Sequence, residues 1–372
     1  MSSLKEQLVT LQQIAKERTV KTQNIEYDLE TLVKKIDKNV IKLDPEYQRN
    51  HRWNDRMSSR LIESLILNIP VPMIYISQDI DVDEDVEDIP RYSVIDGQQR
   101  LTAIYNFMSN KMALEEMQVL TLLNGSFYKD LPPFLIRRLE ERTIKCLRID
   151  STLDPQVKYD IFERLNSGSV KLEAQELRNA IYRGPFNKLI KELAENVDFR
   201  VLNQIDLEDP ESAKKVQKME DVELVLRFFA LHNNRYKNLK KGFKTFLSDA
   251  MKEFNSLPEE KLVQFRKKFI ETMYLVRHTF GDKAFAKYRL EKVGTDSEKL
   301  HKMSNFNAAV FDALAIAIVD EIDLKTPDFP TSIEQEFLNL FKDRRFFDSV
   351  SGSVNDKEKV NYRIEAVKEL LK

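Results

Sequence analysis

The sequence predicts an α+β chain: a mixed α/β domain over residues 26–153, an all-helical domain over 154–372, and a leading helix over 1–25. Three observations carry this reading. Short apolar runs (Met73–Ile76, Tyr92–Ile95) and the alternating Thr143–Ile149 read as strands in the first half. An apolar run stops abruptly at Asp96-Gly97, and a helical pattern with Leu101, Ile104, Tyr105 and Met108 on one face begins at once. From Asp154 onward helical periods dominate, separated only by short Pro, Gly or Asn punctuation.

In chain order, Leu4, Leu8, Leu11 and Ala15 form one stripe of the leading helix, and Leu29, Leu32, Val33 and Ile36 mark a short helix over 26–37. Val40–Leu43 reads as a strand closed by Asp44-Pro45. Asn54 or Asp55 can cap the next helix, whose expected buried stripe is Met57, Leu61, Ile62, Leu65 and Ile66, with Pro70 and Pro72 ending it. The acidic stretch Asp79–Asp88 reads as a solvated hairpin loop. The helix after the Asp-Gly turn is expected to reach about Asn110, and a short helix near Pro132–Glu140 leads into the Thr143–Ile149 strand.

In the second half helices are expected over Val157–Leu165, Ala174–Tyr182, Phe186–Leu193, Val216–Leu231, Phe243–Phe254, Lys261–Phe280, Phe306–Ile322, Ile333–Phe347 and Val360–Leu371. The charged segment Lys287–Lys302 reads as an exposed loop.

Composition bounds the function. With 42% hydrophobic and 32% charged residues and a net charge of −2, the chain reads as globular and has no global basic field for nucleic acid. The single Cys146, expected as a buried strand thiol, rules out an intramolecular disulfide and a cysteine-rich zinc site, and four scattered histidines do not form a His-based metal site. No apolar run is long enough to span a membrane and no basic-then-apolar leader is visible, so a cytoplasmic chain without membrane contact is expected.

Three polar constellations fall at element ends. The first is Pro45-Glu46-Tyr47-Gln48-Arg49 with Arg52 and Trp53. Arg49 and Arg52 offer planar forks that fit phosphate oxygens, and Trp53 can stack on a base or brace the loop. Alone, this reads first as a surface ion-pair turn with a packed Trp.

The second is Asp96-Gly97-Gln98-Gln99-Arg100 with Thr102, at a strand-to-helix turn where unpaired N–H groups and the helix dipole favour an anion. The chain has only 8 glycines, and one stands here, where a positive φ or close backbone approach is needed. Gln98 and Gln99 add neutral donors. Arg100 is unfavourable against the dipole unless an anion arrives beside it. Asp96 can cap the helix, or anchor Mg²⁺ or orient a water for phosphoryl or phosphodiester cleavage.

The third is Phe162-Glu163-Arg164-Leu165-Asn166-Ser167-Gly168, where a helix ends; Asn166 and Ser167 could line the far wall of a ligand cleft.

Taken together and in order, these constellations resemble the N-terminal (S-type) domain of the GmrSD family of modification-dependent restriction enzymes, within the ParB/sulfiredoxin superfamily, over roughly residues 28–183. The segments Met219–Arg227 and Asn305–Phe311 resemble, more weakly, the helical extension of stand-alone members.

The resemblance implies a ParB-like core that binds a nucleoside triphosphate, with the phosphate-holding Gly-x-x-Arg element at Gly97 and Arg100. With that pocket, the residues themselves suggest Asp96 and Arg100 as catalytic, and Gln48, Arg49, Arg52, Trp53, Gly97, Gln98, Gln99, Thr102, Asn166 and Ser167 as nucleotide- or phosphate-binding. Asp96 could hold a divalent metal, Mg²⁺, there, or instead place a water. Relatives couple nucleotide hydrolysis to sensing or cleavage of modified DNA in anti-phage defence. The complete systems also carry a His-Asn-His-type nuclease domain, for which this sequence shows no cluster, so a partner nuclease subunit is expected to supply it. Two other readings stand beside the NTPase: a ParB-like DNA nuclease using the same cleft, and a non-catalytic DNA-binding adaptor. The adaptor would use the basic clusters Arg137-Arg138, Lys214-Lys215, Arg235–Lys244 and Lys267-Lys268, with Phe228, Phe229, Tyr236, Phe243 and Phe246 among them.

Overall fold

The computed structural model describes residues 20–43, 53–78, 92–149, 173–239, 242–293, 297–322 and 332–371, with positions 161 and 164. The chain divides into two compact units, Met1–Lys171 and Leu172–Lys372.

In the first unit the elements run β1 (Thr22–Asp28), α1 (Leu29–Asp37), β2 (Ile41–Lys42), α2 (Asp55–Ile66), β3 (Ile74–Gln78), β4 (Tyr92–Asp96), α3 (Gln98–Met108), α4 (Pro133–Glu140) and β5 (Thr143–Ile149). The five strands form one sheet in the order β1-β5-β3-β4-β2. β1 is antiparallel to β5, β5 parallel to β3, β3 antiparallel to β4, and β4 parallel to β2.

Among the described residues of this unit the expected order of strands and helices is found, except at its start; the expected stripe Leu4–Ala15 and the loop Asp79–Asp88 lie outside the described residues. Residues 22–28, expected within two helices, form β1 and pair with β5 along its whole length, Ile25 opposite Cys146. β1 is an edge strand with mostly exposed side chains, so it carries no alternating apolar signal. Asp28 then caps α1 by accepting from Thr31 N at 2.7 Å.

Asn54 caps α2 as expected, its Oδ1 accepting from Met57 N at 2.9 Å. Leu61, Ile62, Leu65 and Ile66 of α2 are buried, whereas Met57, in the first turn, is exposed rather than part of the stripe. The core joins these residues to Leu29 and Leu32 of α1, Ile74 and Ile76 of β3, Leu101, Ile104 and Phe107 of α3, and Ile144 and Cys146 of β5. One device lies outside this core. Glu63, buried on α2, accepts from the backbone N–H groups of Gln118, Val119 and Leu120 at 3.2, 2.8 and 2.8 Å and so pins that loop.

The second unit contains α5 (Ala174–Ile181), α6 (Pro185–Ala194), α7 (Val197–Leu202), α8 (Lys214–Gln217), α9 (Glu220–Leu231), α10 (Phe243–Phe254) and α11 (Glu259–Phe280). It continues with β6 (Lys287–Val293), β7 (Ser297–Ser304), α12 (Ala308–Ile322), α13 (Ile333–Asn339), α14 (Arg344–Ser349) and α15 (Lys357–Leu371).

The chain is therefore mixed α/β with an N-terminal sheet and a largely helical second part, but that part is not all-α. The segment expected as a loop, 287–302, forms the β6/β7 hairpin. Its register sets Leu290 against Leu300 and Glu291 against Lys299, so cross-strand pairing replaces the apolar alternation that normally announces a strand.

The expected helix Val216–Leu231 is broken at Met219, which takes φ +54°. The acidic Glu220, Asp221 and Glu223 then open α9 as a new N-terminus. The expected Ile333–Phe347 helix likewise splits, Asp343 capping α14 by accepting from Arg345 N at 2.9 Å.

α12 is buried on nearly every side, and at its heart lies Asp312. Arg227 Nε donates to Asp312 Oδ1 at 3.0 Å and Arg363 Nη2 donates to Asp312 Oδ2 at 2.6 Å. All three groups are buried. Phe228, Phe229, Tyr236 and Phe243, the aromatics interleaved with basic residues in the sequence, are also core residues. Arg235 and Lys267 of the neighbouring basic clusters pair with Glu253 and Glu271.

Candidate functional site: the turn between β4 and α3

β4 ends at Asp96, and α3 begins at Gln98 after a single residue, Gly97. That connection is so short that Gly97 takes φ +102°, a left-handed conformation that disfavours any side chain. Space is closed as well: a Cβ at this position would stand 3.1 Å from Ile74 Cγ1 and 3.2 Å from Arg100 Nη2. Both reasons expected for a glycine here are present.

Asp96 does not cap α3, since no side chain caps that helix. Its Oδ2 instead accepts from Arg100 Nη2 at 2.7 Å, one helical turn away. Arg100 Nη1 donates to the carbonyl of Met73 at 3.1 Å and also to that of Pro72. The Arg100 side chain is 12% exposed and that of Asp96 39%. The guanidinium is thus a brace between the first turn of α3, the end of β4 and the backbone entering β3. This is where the cation unfavourable to the helix dipole finds its anion: within the chain itself. Arg100 is also near enough to Cys146 to bear on its thiol. Burial dominates there and pushes Cys146 up to about 11, Arg100 opposing. The thiol is neutral at ordinary pH, as the strand reading expects.

Gln98 and Gln99 fill the remaining positions of the first turn. Gln98 Nε2 and Gln99 Oε1 are each shielded from solvent and have no hydrogen-bond partner among the described residues. Thr102, one turn on, is only 3% exposed, so its hydroxyl belongs to the packed side of α3. Trp53, just before α2, is half-buried against the core of the first unit and has partners within the chain.

The structure therefore brings Asp96, Gly97, Gln98, Gln99 and Arg100 together at one turn. Gln48, Arg49, Arg52, Asn166 and Ser167 lie outside the described residues. The Pro72 and Met73 carbonyls were not among the expected site groups. Backbone acceptors carry no residue signature, and only the Pro-rich approach to β3 hints that this backbone has no strand partner of its own.

Among the described residues no three His, Cys, Asp or Glu side chains converge as a metal site, at Asp96 or elsewhere. His232 is engaged with Asp320 at 2.7 Å, and His278 Nδ1 with the Tyr274 carbonyl at 2.8 Å. No helix among the described residues is long and apolar enough to cross a membrane.

A strand ending in Asp-Gly, with a helix opening on two glutamines and an arginine, defines the class: an α/β domain with a polar helix-start turn. Residues 29–183 match the family model of the GmrSD restriction endonuclease N-terminal domain, so this stretch of the chain is similar to that family. Comparisons with curated proteins and with solved structures found no match. The matched domain ties the chain to restriction and anti-phage defence as a theme.

Proposed function

We propose that this chain is the nucleotide-binding component of a restriction or anti-phage defence system, and that the β4–α3 turn receives the phosphates of a nucleoside triphosphate in a ParB-like core. The observation that carries this reading is the pair of unpartnered amide atoms, Gln98 Nε2 and Gln99 Oε1, in the first turn of α3. A polar atom shut away without a partner costs about 1–3 kcal/mol. If the two amides turn outward, a ligand offering an oxygen to Gln98 and an N–H or O–H to Gln99 would recover that penalty, and the helix start favours the oxygen being anionic.

In this reading a phosphate competes with Asp96 for Arg100. The guanidinium turns part of its fork from the carboxylate to phosphate oxygens, and Asp96 is released to hold an attacking water. Mg²⁺ is held by one or two carboxylates plus the phosphates it accompanies, and Asp96 would be that carboxylate. The metal would offset phosphate charge; no further ligand is assigned to it. Phosphoryl transfer needs charge neutralisation and positioning above all, and losing one charged donor typically removes about 2–4 kcal/mol of transition-state stabilisation. Gln48, Arg49, Arg52, Asn166 and Ser167 would complete the pocket, and a separate nuclease subunit would act on DNA.

Calorimetric titration of ATP, GTP, CTP and UTP, with and without Mg²⁺, tests the binding half of this reading on wild type and Gln98→Leu. One or more triphosphates should bind, at least ten-fold more weakly to the variant, and phosphate release should accompany binding. No binding by any triphosphate, or equal binding by the variant, would remove the reading.

A second reading has its own support. Arg100 is already engaged by Asp96 and two carbonyls, as a purely structural brace would be. It predicts that Arg100→Lys lowers the melting temperature and changes no ligand affinity.

A further inference from the structure

α11 carries apolar residues on two opposite faces. Phe269, Met273, Val276 and Phe280 are buried in the second unit. On the other side Val263, Ile270 and Tyr274 are 57%, 40% and 54% exposed. Large apolar side chains exposed singly are ordinary, but these three share one line along the helix. The Tyr274 ring is also held in place, its centre 3.9 Å from that of the His278 ring.

The spacing of this outer line is that of a coiled-coil seam. Glu260, Val263, Lys267, Ile270, Tyr274 and Arg277 follow one another at intervals of three, four, three, four and three residues. The series reads the same from either end. Two copies of α11 laid antiparallel, related by a twofold axis midway between Lys267 and Ile270, therefore meet layer by layer. Val263 of each copy faces Tyr274 of the other, Lys267 faces Ile270, and Glu260 faces Arg277.

Charge decides the direction. A parallel pair would set Glu260, Lys267 and Arg277 each against its own counterpart, like charge on like charge. The antiparallel pair joins Glu260 to Arg277 at both ends. It also lets the Lys267 stem lie along Ile270 while its ammonium stays near Glu271, which is 3.6 Å away on its own helix. Arg277 already pairs with Asp198 at 2.6 Å, and its guanidinium fork has further N–H donors for Glu260.

We propose that the outer face of α11 is a homodimer interface, on which a second copy of this chain docks antiparallel along Val263, Lys267, Ile270 and Tyr274. The interface lies wholly within the second unit and is independent of the triphosphate reading. One helix from each copy buries area at or below the ~1,200 Å² that marks the low end of specific interfaces, so the dimer is weak and depends on concentration.

Sedimentation equilibrium of the full-length chain tests the proposal. The average mass should rise from the monomer's 43.7 kDa toward twice that value as concentration increases through the micromolar range. Ile270 is exposed in the monomer, so Ile270→Glu should leave the melting temperature unchanged and weaken the dimer about ten-fold or more. Glu260→Arg should also weaken it, because the new guanidinium meets Arg277; in a parallel pair one like-charge layer would merely replace another. Cysteine pairing under mild oxidant reads the direction separately. A mixture of Val263→Cys and Tyr274→Cys chains should form disulfide-linked dimers faster than either variant alone, while the native Cys146, being buried, stays silent. A chain still monomeric at concentrations on the order of hundreds of micromolar would overturn the proposal. So would a dimer that Ile270→Glu or Glu260→Arg leaves unchanged, or self-linking of Val263→Cys as fast as linking in the mixture.

Discussion

Gly97 and Asp221 show how much a single position can hold. At Gly97 any L-residue would have to adopt φ +102° while its Cβ pressed on Ile74, and both must be endured at once. Gly97→Ala should therefore lose about 1–2 kcal/mol or more in denaturant unfolding, the left-handed penalty alone accounting for that much. Full stability in the alanine variant would contradict the account.

Asp221 is buried at the start of α9, and burial pushes its carboxyl up to about 6. A raised carboxyl pKa means that the folded state prefers the neutral form. The associated stability is complete below the ordinary value of 3.8 and fades as pH rises through about 6. Asp221→Asn keeps the acceptor that receives Val222 N at 2.9 Å and removes the charge. It should raise the melting temperature at pH 7.5, by an amount on the order of 1–3 kcal/mol in stability, and should have little effect near pH 3.5.

At this scale the sequence was most legible where backbone geometry and residue type coincide, as at Gly97, Asn54 and Cys146. It was least legible where a partner is a main-chain atom. Arg100 could be seen to need an anion, but nothing in the letters said that Asp96 and the Pro72 and Met73 carbonyls would meet it.

Among the elements, the pinned loop after α3 makes a sharp prediction. Glu63 holds the three N–H groups of Gln118, Val119 and Leu120. Burial opposes its ionisation, but the three donors outweigh it and hold the carboxyl below its ordinary value of 4.5. Its contribution is present above pH 4.5 and is lost as pH falls through the lowered folded value. Glu63→Gln should destabilise the chain by about 1–3 kcal/mol and speed amide exchange at 118–120. Unchanged exchange there would show that the loop is held by something else.

Element types were readable wherever an apolar face has a period: α2, α3, β4 and β5 stand where the pattern placed them. β1 and the β6/β7 hairpin were not, because their stability resides in strand pairing and not in a buried face. The break at Met219 was signalled by the acidic run that follows it, a helix start inside what otherwise reads as one helix.

For the molecule as a whole, the second unit is organised around an ion. Asp312 sits in the most apolar helix of the chain and is shared by Arg227 and Arg363. Burial pulls Arg363 below its ordinary value. For Arg227 burial acts in the same direction, yet Asp312 outweighs it and holds that guanidinium above its ordinary value. Asp312→Asn would leave two buried guanidinium groups without their counter-ion and should cost about 3–5 kcal/mol, read as a lower midpoint in urea. A midpoint within error of wild type would show that the guanidinium groups find other acceptors.

That a sheet lies in the N-terminal part and helices dominate the C-terminal part was visible in the change of periodicity. The charged network inside the second unit was not, since Arg227, Asp312 and Arg363 are far apart in the chain.

The central claim is that the β4–α3 turn binds triphosphate through Arg100. The most direct measurement is the dissociation constant of the best-binding nucleoside triphosphate for wild type and Arg100→Ala, with thermal melting showing both to be folded at the assay temperature. The account predicts saturable binding by wild type and at least a ten-fold loss in the variant. Equal affinities in two folded proteins would contradict it and leave Arg100 as a brace.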